Sequence, residues 1–142
     1  MQSIIASPGE GPRLRVLGET VRVLASAAAT GGAFEVFELE APQGSGPVPH
    51  AHPWTEAYMV LEGEADVLLD GKKTIATAGC FYHIPAGAKH AYRIRTKTAR
   101  FLVITSPAGA HDFFSEVDAE TGGSCEDMAR VRALAVKHGF TV

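Results

Sequence analysis

Apolar and polar residues alternate with period two in short runs along most of this chain, and Gly or Pro interrupts nearly every run. Side chains at period two point to opposite faces of a strand, so such runs read as half-buried β-structure. Leu14–Leu17 and Thr20–Leu24 are the first two, and Ala33–Glu40 follows the turn signal Thr30-Gly31-Gly32. Ala41 to Pro49 is rich in Gly and Pro and reads as a loop. Glu56–Leu61 and Glu64–Leu69 are apolar runs parted by Glu62-Gly63, and Asp70-Gly71 marks a tight hairpin because this pair tolerates positive φ. Lys72–Ala76, Phe81–Ile84, His90–Ile94 and Arg100–Thr105 bring the total to about nine strands. Strands this short and this regularly spaced predict an all-β barrel or sandwich over about residues 13–106.

The pattern changes after that. Met128, Val131 and Ala135 recur at helical spacing with Leu134 beside them, and Gly139 is a fitting C-terminal stop. Ser124-Cys125-Glu126-Asp127 resembles a capping box, which predicts Ser124 as the start of this helix. Asp112–Ala119 reads as another short helix, giving a helical tail over about 112–139. With 142 residues and no internal repeat, the expectation is one domain.

Charge narrows the partners. The formal net charge is -3 and no run of Lys or Arg stands out, so no nucleic-acid partner is expected. No apolar run is long enough to span a bilayer, and the N-terminal residues lack the basic-then-apolar order of a signal peptide. Cys80 and Cys125 form no Cys-x-x-Cys pattern and read as free thiols. A cytoplasmic location is the expectation that fits.

Chemistry concentrates in two places. In His50-Ala51-His52 the two imidazoles stand at i and i+2, on one face of an extended segment. Glu56 lies an even step further on, and His90 follows the turn Pro85-Ala86-Gly87-Ala88-Lys89. Taken singly, each has a plainer reading: a solvated glutamate, a turn-capping histidine. Together they form a mixed nitrogen and oxygen set suited to one divalent transition metal per chain, Fe, Mn, Ni, Co or Zn.

The spacing also carries a resemblance. Gly44, five residues, His50-Ala51-His52, three residues, Glu56, six residues and Gly63 make one block. Gly79, five residues, Pro85-Ala86-Gly87, two residues and His90 make the second. The blocks resemble the two cupin motifs at every metal-ligand and glycine position. Thr30–Phe34, Ser106–Gly109 and Phe113-Phe114 extend the likeness toward small quercetinase-like cupins. The resemblance implies a cupin (double-stranded β-helix, jelly-roll) barrel with His50, His52, Glu56 and His90 as metal ligands, and a homodimer. One position departs: the Asn that usually closes the second motif is Ile94 here.

If Glu56 and His90 face inward, parity sends Tyr58, Val60, Tyr92 and Ile94 inward as well. Glu56, Tyr58 and Tyr92 are thus the candidate catalytic residues, the tyrosines being otherwise barrel-filling aromatics. The pocket is expected to be a mainly apolar cup with the ion as its chief polar feature. Trp54 could wall it or merely shield the loop, and the inward face of residues 80–84 is left open. His111 and His138 are expected at the surface. Three functions fit a small-molecule substrate: a metal-dependent dioxygenase on an oxygenated, aromatic compound; a metal-dependent isomerase, cyclase or lyase; or a binding or sensor domain without turnover.

Overall fold

Inward-pointing rows of large apolar side chains hold two β-sheets together in the computed structural model, which describes all 142 residues. In chain order the elements are β1 (Arg13–Val16), β2 (Glu19–Ala25), α1 (Ala27–Thr30), β3 (Glu35–Pro42), β4 (Thr55–Glu62), β5 (Ala65–Leu69), β6 (Lys72–Ala76), β7 (Phe81–Ile84), β8 (His90–Ile94), β9 (Thr98–Ser106), α2 (Ala110–Thr121) and α3 (Met128–Lys137). One sheet has the order β1-β2-β3-β9-β4-β7, the other β6-β5-β8. All strand pairs are antiparallel.

The alternation seen along the chain is the alternation of burial. Val21 and Val23, Phe37 and Leu39, Tyr58 and Val60, and Phe101 and Val103 are buried, while their neighbours are not. Register turns these into layers. Phe37, Val103, Tyr58 and Tyr82 stand opposite one another across β3, β9, β4 and β7. One layer along, Glu35, Thr105, Glu56 and Ile84 form the next row, and all four are buried. That row carries the chemistry.

Turn residues set these registers. Asp70 and Gly71 both have positive φ (52° and 76°), as the sequence predicts for this hairpin. At Gly63, with φ at 82°, a β-carbon would stand 2.5 Å from the Thr98 carbonyl oxygen, so only glycine fits where β4 leaves its partner.

The turn expected at Thr30-Gly31-Gly32 is present, and Gly31, in the left-handed conformation, also ends a helical turn over residues 27–30. One local expectation needs correction. The last helix is capped by Asp127, whose side chain accepts from the Arg130 N–H, and Ser124 instead accepts from Glu126 N–H in the preceding turn. The cap lies closer to the apolar-periodic residues, so the helix starts later than the Ser124 signal implied.

α2 begins two residues before the expected Asp112, because Glu35 caps it from a distant strand. Its carboxylate accepts from Thr105 Oγ1 (3.0 Å) and from the backbone N–H groups of Gly109 (3.0 Å), Ala110 (3.0 Å) and His111 (3.3 Å). The first N–H groups of a helix have no partner within it, and an anion there is favourable. Glu35→Ala is expected to lower stability by about 2–3 kcal/mol, since the cap and the buried Thr105 hydroxyl both lose their acceptor. Glu35→Gln, which keeps an acceptor oxygen, is expected to recover most of it; denaturant midpoints of the three proteins check this.

Candidate metal centre

Backbone pairing brings the two motifs together. His50 and His90 exchange both hydrogen bonds as an antiparallel bridge, N–H to O at 3.0 and 2.9 Å. Gly87 N–H donates to the His52 carbonyl at 2.9 Å, which ties the turn before β8 to the same segment. Glu56 enters from β4. All four side chains are buried: His50 9%, His52 4%, Glu56 5% and His90 3% exposed.

The imidazoles are oriented alike. Each Nδ1 lies within hydrogen-bond distance of a backbone carbonyl: His50 to Val48 (2.8 Å), His52 to Trp54 (2.9 Å) and His90 to Ala88 (2.8 Å). A ring whose Nδ1–H is spent on a carbonyl presents the lone pair of Nε2 on its other side. The ligating atoms of the three rings lie within 4.8 Å of one another. Glu56 adds its carboxylate, Oε2 at 3.5 Å from His52 Nε2 and Oε1 at 3.7 Å from His90 Nε2. Nε2 of both His52 and His90 is buried and makes no hydrogen bond within the protein. Buried polar atoms without partners each cost about 1–3 kcal/mol. Three lone pairs and a carboxylate converging on one point fit a divalent cation, and nitrogen-rich sets of this kind suit transition metals.

Electrostatics agree. Burial, helped by His90, lowers the His50 imidazole to a pKa of about 4, so it is neutral as a ligand must be. Burial alone would raise Glu56, but the His52 and His90 imidazoles beside it prevail and hold it well below the usual carboxylate range. Glu56 is therefore the anion of the cluster.

The walls differ from one another. Trp54 is buried and stacks on His52 (4.6 Å, 15°), so it lines the cluster. Phe140 stacks on His50 (5.6 Å, 19°) and meets Trp54 edge-on (5.3 Å). It is held there because Thr141 and Ala51 exchange both backbone hydrogen bonds at 2.9 Å, so the C-terminal segment pairs with the strand between the two histidines. Nothing in the alternation pointed to Phe140, which lies beyond a helix stop.

On the other side are hydroxyls. Tyr58 and Tyr82 stack in parallel (4.9 Å, 8°), which settles the face of residues 80–84: Cys80, Tyr82 and Ile84 turn inward, Phe81 and His83 outward. Burial, and next the Glu56 charge, push both tyrosine hydroxyls well above their ordinary pKa, so they stay protonated. Tyr92 is inward too, but its hydroxyl donates to Glu19 at 2.6 Å rather than turning to the histidines. The expected apolar cup is thus incomplete as a description: Glu19, a buried carboxyl, lies in the same interior. Its parity with Val21 and Val23 was the available signal. His138 is another correction, its side chain being only 16% exposed and its Nε2 3.4 Å from Glu116, because α3 folds back on α2; His111 is half-buried. A cavity of about 710 Å³ lined by Met1, Ile4, Leu24, Phe34 and Val36 includes none of the histidines in its wall.

Comparison with known proteins agrees with this geometry. The cupin domain profile matches residues 36–105. Quercetin 2,3-dioxygenase of Bacillus subtilis is 32% identical over 111 residues, 78% of this chain and 33% of that protein. An RmlC-like cupin from Shewanella frigidimarina superposes with a TM-score of 0.66 at 24% identity, over 75% of this chain and 94% of the other. The polyketide cyclase RemF from Streptomyces resistomycificus gives 0.64 at 24% identity, over 75% and 80%. The chain therefore belongs to the cupin superfamily. It spans only a third of the dioxygenase it matches. It is a single cupin fold with three histidines positioned to bind a metal. No helix is long and apolar enough to cross a membrane.

Phe140→Ala is expected to weaken metal binding roughly tenfold without changing its stoichiometry, the size of effect seen when groups that orient ligands are removed. Competition against a chromophoric chelator measures it.

Proposed function

We propose that this cupin holds one divalent transition metal (Fe, Mn, Ni, Co or Zn) on His50, His52, Glu56 and His90 and acts as a dioxygenase-like oxidoreductase on a small, oxygenated, aromatic substrate. The observation that carries the reading is the convergence on the Glu56 carboxylate of imidazole Nε2 atoms that make no hydrogen bond within the protein. Such an ion, when bound, supplies Lewis acidity toward an oxyanion developing on the substrate. The rest is done by the chain. Trp54 and Phe140 exclude water on one side and favour a planar ligand. On the other, the protonated Tyr58 and Tyr82 hydroxyls near Glu56 can donate to a substrate oxygen. The relative named as a quercetin dioxygenase supports this choice of substrate class.

Those same hydroxyls favour a second reading, a metal-dependent isomerisation, cyclisation or elimination in which they move protons and no oxygen is consumed. Oxygen separates the two. Protein purified without a histidine tag is expected to carry about one divalent ion per chain by elemental analysis, and the double change His50→Ala, His52→Ala to remove it. With a flavonol or diketone it is expected to consume oxygen in step with substrate loss. Turnover under nitrogen assigns the second reading, and full metal occupancy in the double variant refutes the ligand set.

The homodimer belongs to the same proposal, with the open edge at β1 as the pairing element. Light scattering at micromolar concentration is expected to give twice the chain mass.

A further inference from the structure

Glu19 opens β2 and is 7% exposed, yet no cation contributes to its environment. Two hydroxyls face it: Tyr92 from β8, 2.6 Å from Oε1, and Ser45 from the loop after β3, 2.9 Å from Oε2. The Ser45 hydroxyl is also 2.8 Å from the Pro42 carbonyl oxygen. A hydroxyl has one proton, so it cannot donate to both acceptors. If Glu19 is ionised, one of these two short contacts lacks a hydrogen. If Glu19 carries a proton on Oε2, every contact is filled: Tyr92 donates to Oε1, Oε2–H donates to Ser45, and Ser45 donates to Pro42.

The loop so gripped is the one that delivers His50. Its other ties run to the end of β8: Gly44 N–H to the Ile94 carbonyl and Ile94 N–H to the Ser45 carbonyl, both 3.0 Å. A β-carbon at Gly46 would overlap the Tyr92 carbonyl oxygen, so the loop lies directly on β8. Glu19 is the side chain that ties it to β2 as well.

We propose that Glu19 is a positioning residue that works as a neutral carboxylic acid, its proton completing a hydrogen-bonded chain from Tyr92 through Ser45 to Pro42 and fixing the loop that carries His50. The consequence for metal binding rests on the reading of His50 as a ligand; the protonation and the loop restraint do not.

Burial raises the Glu19 carboxyl to a pKa of about 7, the bond from Tyr92 restraining the rise. The titratable groups facing it are Tyr92 from β8 and Tyr82 from β7, both raised well above their ordinary value by burial and so neutral throughout this range. A folded-state value above the unfolded one means that the contribution to stability is full below the unfolded value of 4.5 and is lost as pH rises through about 7. The loop restraint weakens over the same interval.

The test uses the full chain, metal-free, with carbon-13 in its glutamate carboxyls, Glu19 being assigned by its absence in Glu19→Gln. The Glu19 signal is expected to titrate near pH 7. Glu19→Gln, whose amide donates to Ser45 and whose carbonyl accepts from Tyr92, is expected to keep hydrogen-exchange protection at residues 44–50 and to make it independent of pH. Glu19→Ala is expected to lose roughly tenfold in that protection. A Glu19 signal titrating near 4.5, or a Gln variant as unprotected as the Ala variant, overturns the proposal. Cobalt(II) titration is the second readout: weaker binding is expected in Glu19→Ala and wild-type binding in Glu19→Gln, and equal binding in all three refutes positioning of His50. If the wild type takes no cobalt, the metal reading fails while the carboxyl and exchange data still decide the role of Glu19.

Discussion

Every part of this molecule near the histidines answers to one constraint: three imidazoles have committed Nδ1 to backbone carbonyls, so their Nε2 lone pairs face one another across a buried space. Contacts among the side chains alone do not fix this arrangement. The backbone does so instead. The His50–His90 bridge, the Gly87 bond to His52 and the Thr141–Ala51 pairing fix the main chain on both sides of each ring. The carbonyls then fix each ring's rotation, so the chain itself orients the three imidazoles toward one another.

Three glutamates are buried in this fold, and each resolves the cost of a buried carboxyl differently. Glu35 meets a hydroxyl and the N-terminus of α2, where unpaired N–H groups welcome an anion. Glu56 stands beside two imidazoles. Glu19 has neither helix nor cation and is raised toward neutrality, with hydroxyls as its only company. Glu35 and Glu56 share a row across β3, β9 and β4 through Thr105, so the anchor of the C-terminal helices and the anion of the cluster are set by one register. A one-residue slip there would turn both to the outside.

What the sequence made legible follows from what parity can encode. Period two places His50, His52, Glu56 and Tyr58 on inward faces without any knowledge of partners, and the hairpin at Asp70-Gly71 needs only local φ. Parity also held Glu19 beside Val21 and Glu35 beside Phe37, but a glutamate at or near the start of an alternating run looks like part of its solvated end. Only the distant partners, Tyr92 and the N–H groups of residues 109–111, reveal that these two are inside. Phe140 was illegible for a related reason, since its place depends on a pairing with Ala51 about ninety positions earlier, and such long-range ladders leave no periodic trace. The helix cap is a subtler case. Ser124 and Asp127 both offer a side-chain oxygen to the backbone, and the packing of Val131, Leu134 and Ala135 into the core selects the later start.

The departure at Ile94 shows how the barrel tolerates a change next to its chemistry. An asparagine there would bring a carboxamide with two donors and two acceptor sites into a position only 2% exposed. Isoleucine packs there without any such demand. The polar work at that point is done by its main chain, whose N–H and carbonyl bond Ser45 and Gly44 in the loop leading to His50. A backbone bond of this kind survives replacement of the side chain, provided that the strand register holds. The side-chain tie to β2 comes from Glu19 and Ser45 instead. Restraint of the histidine loop is thereby divided between a backbone element indifferent to pH and a carboxyl whose protonation changes near neutrality.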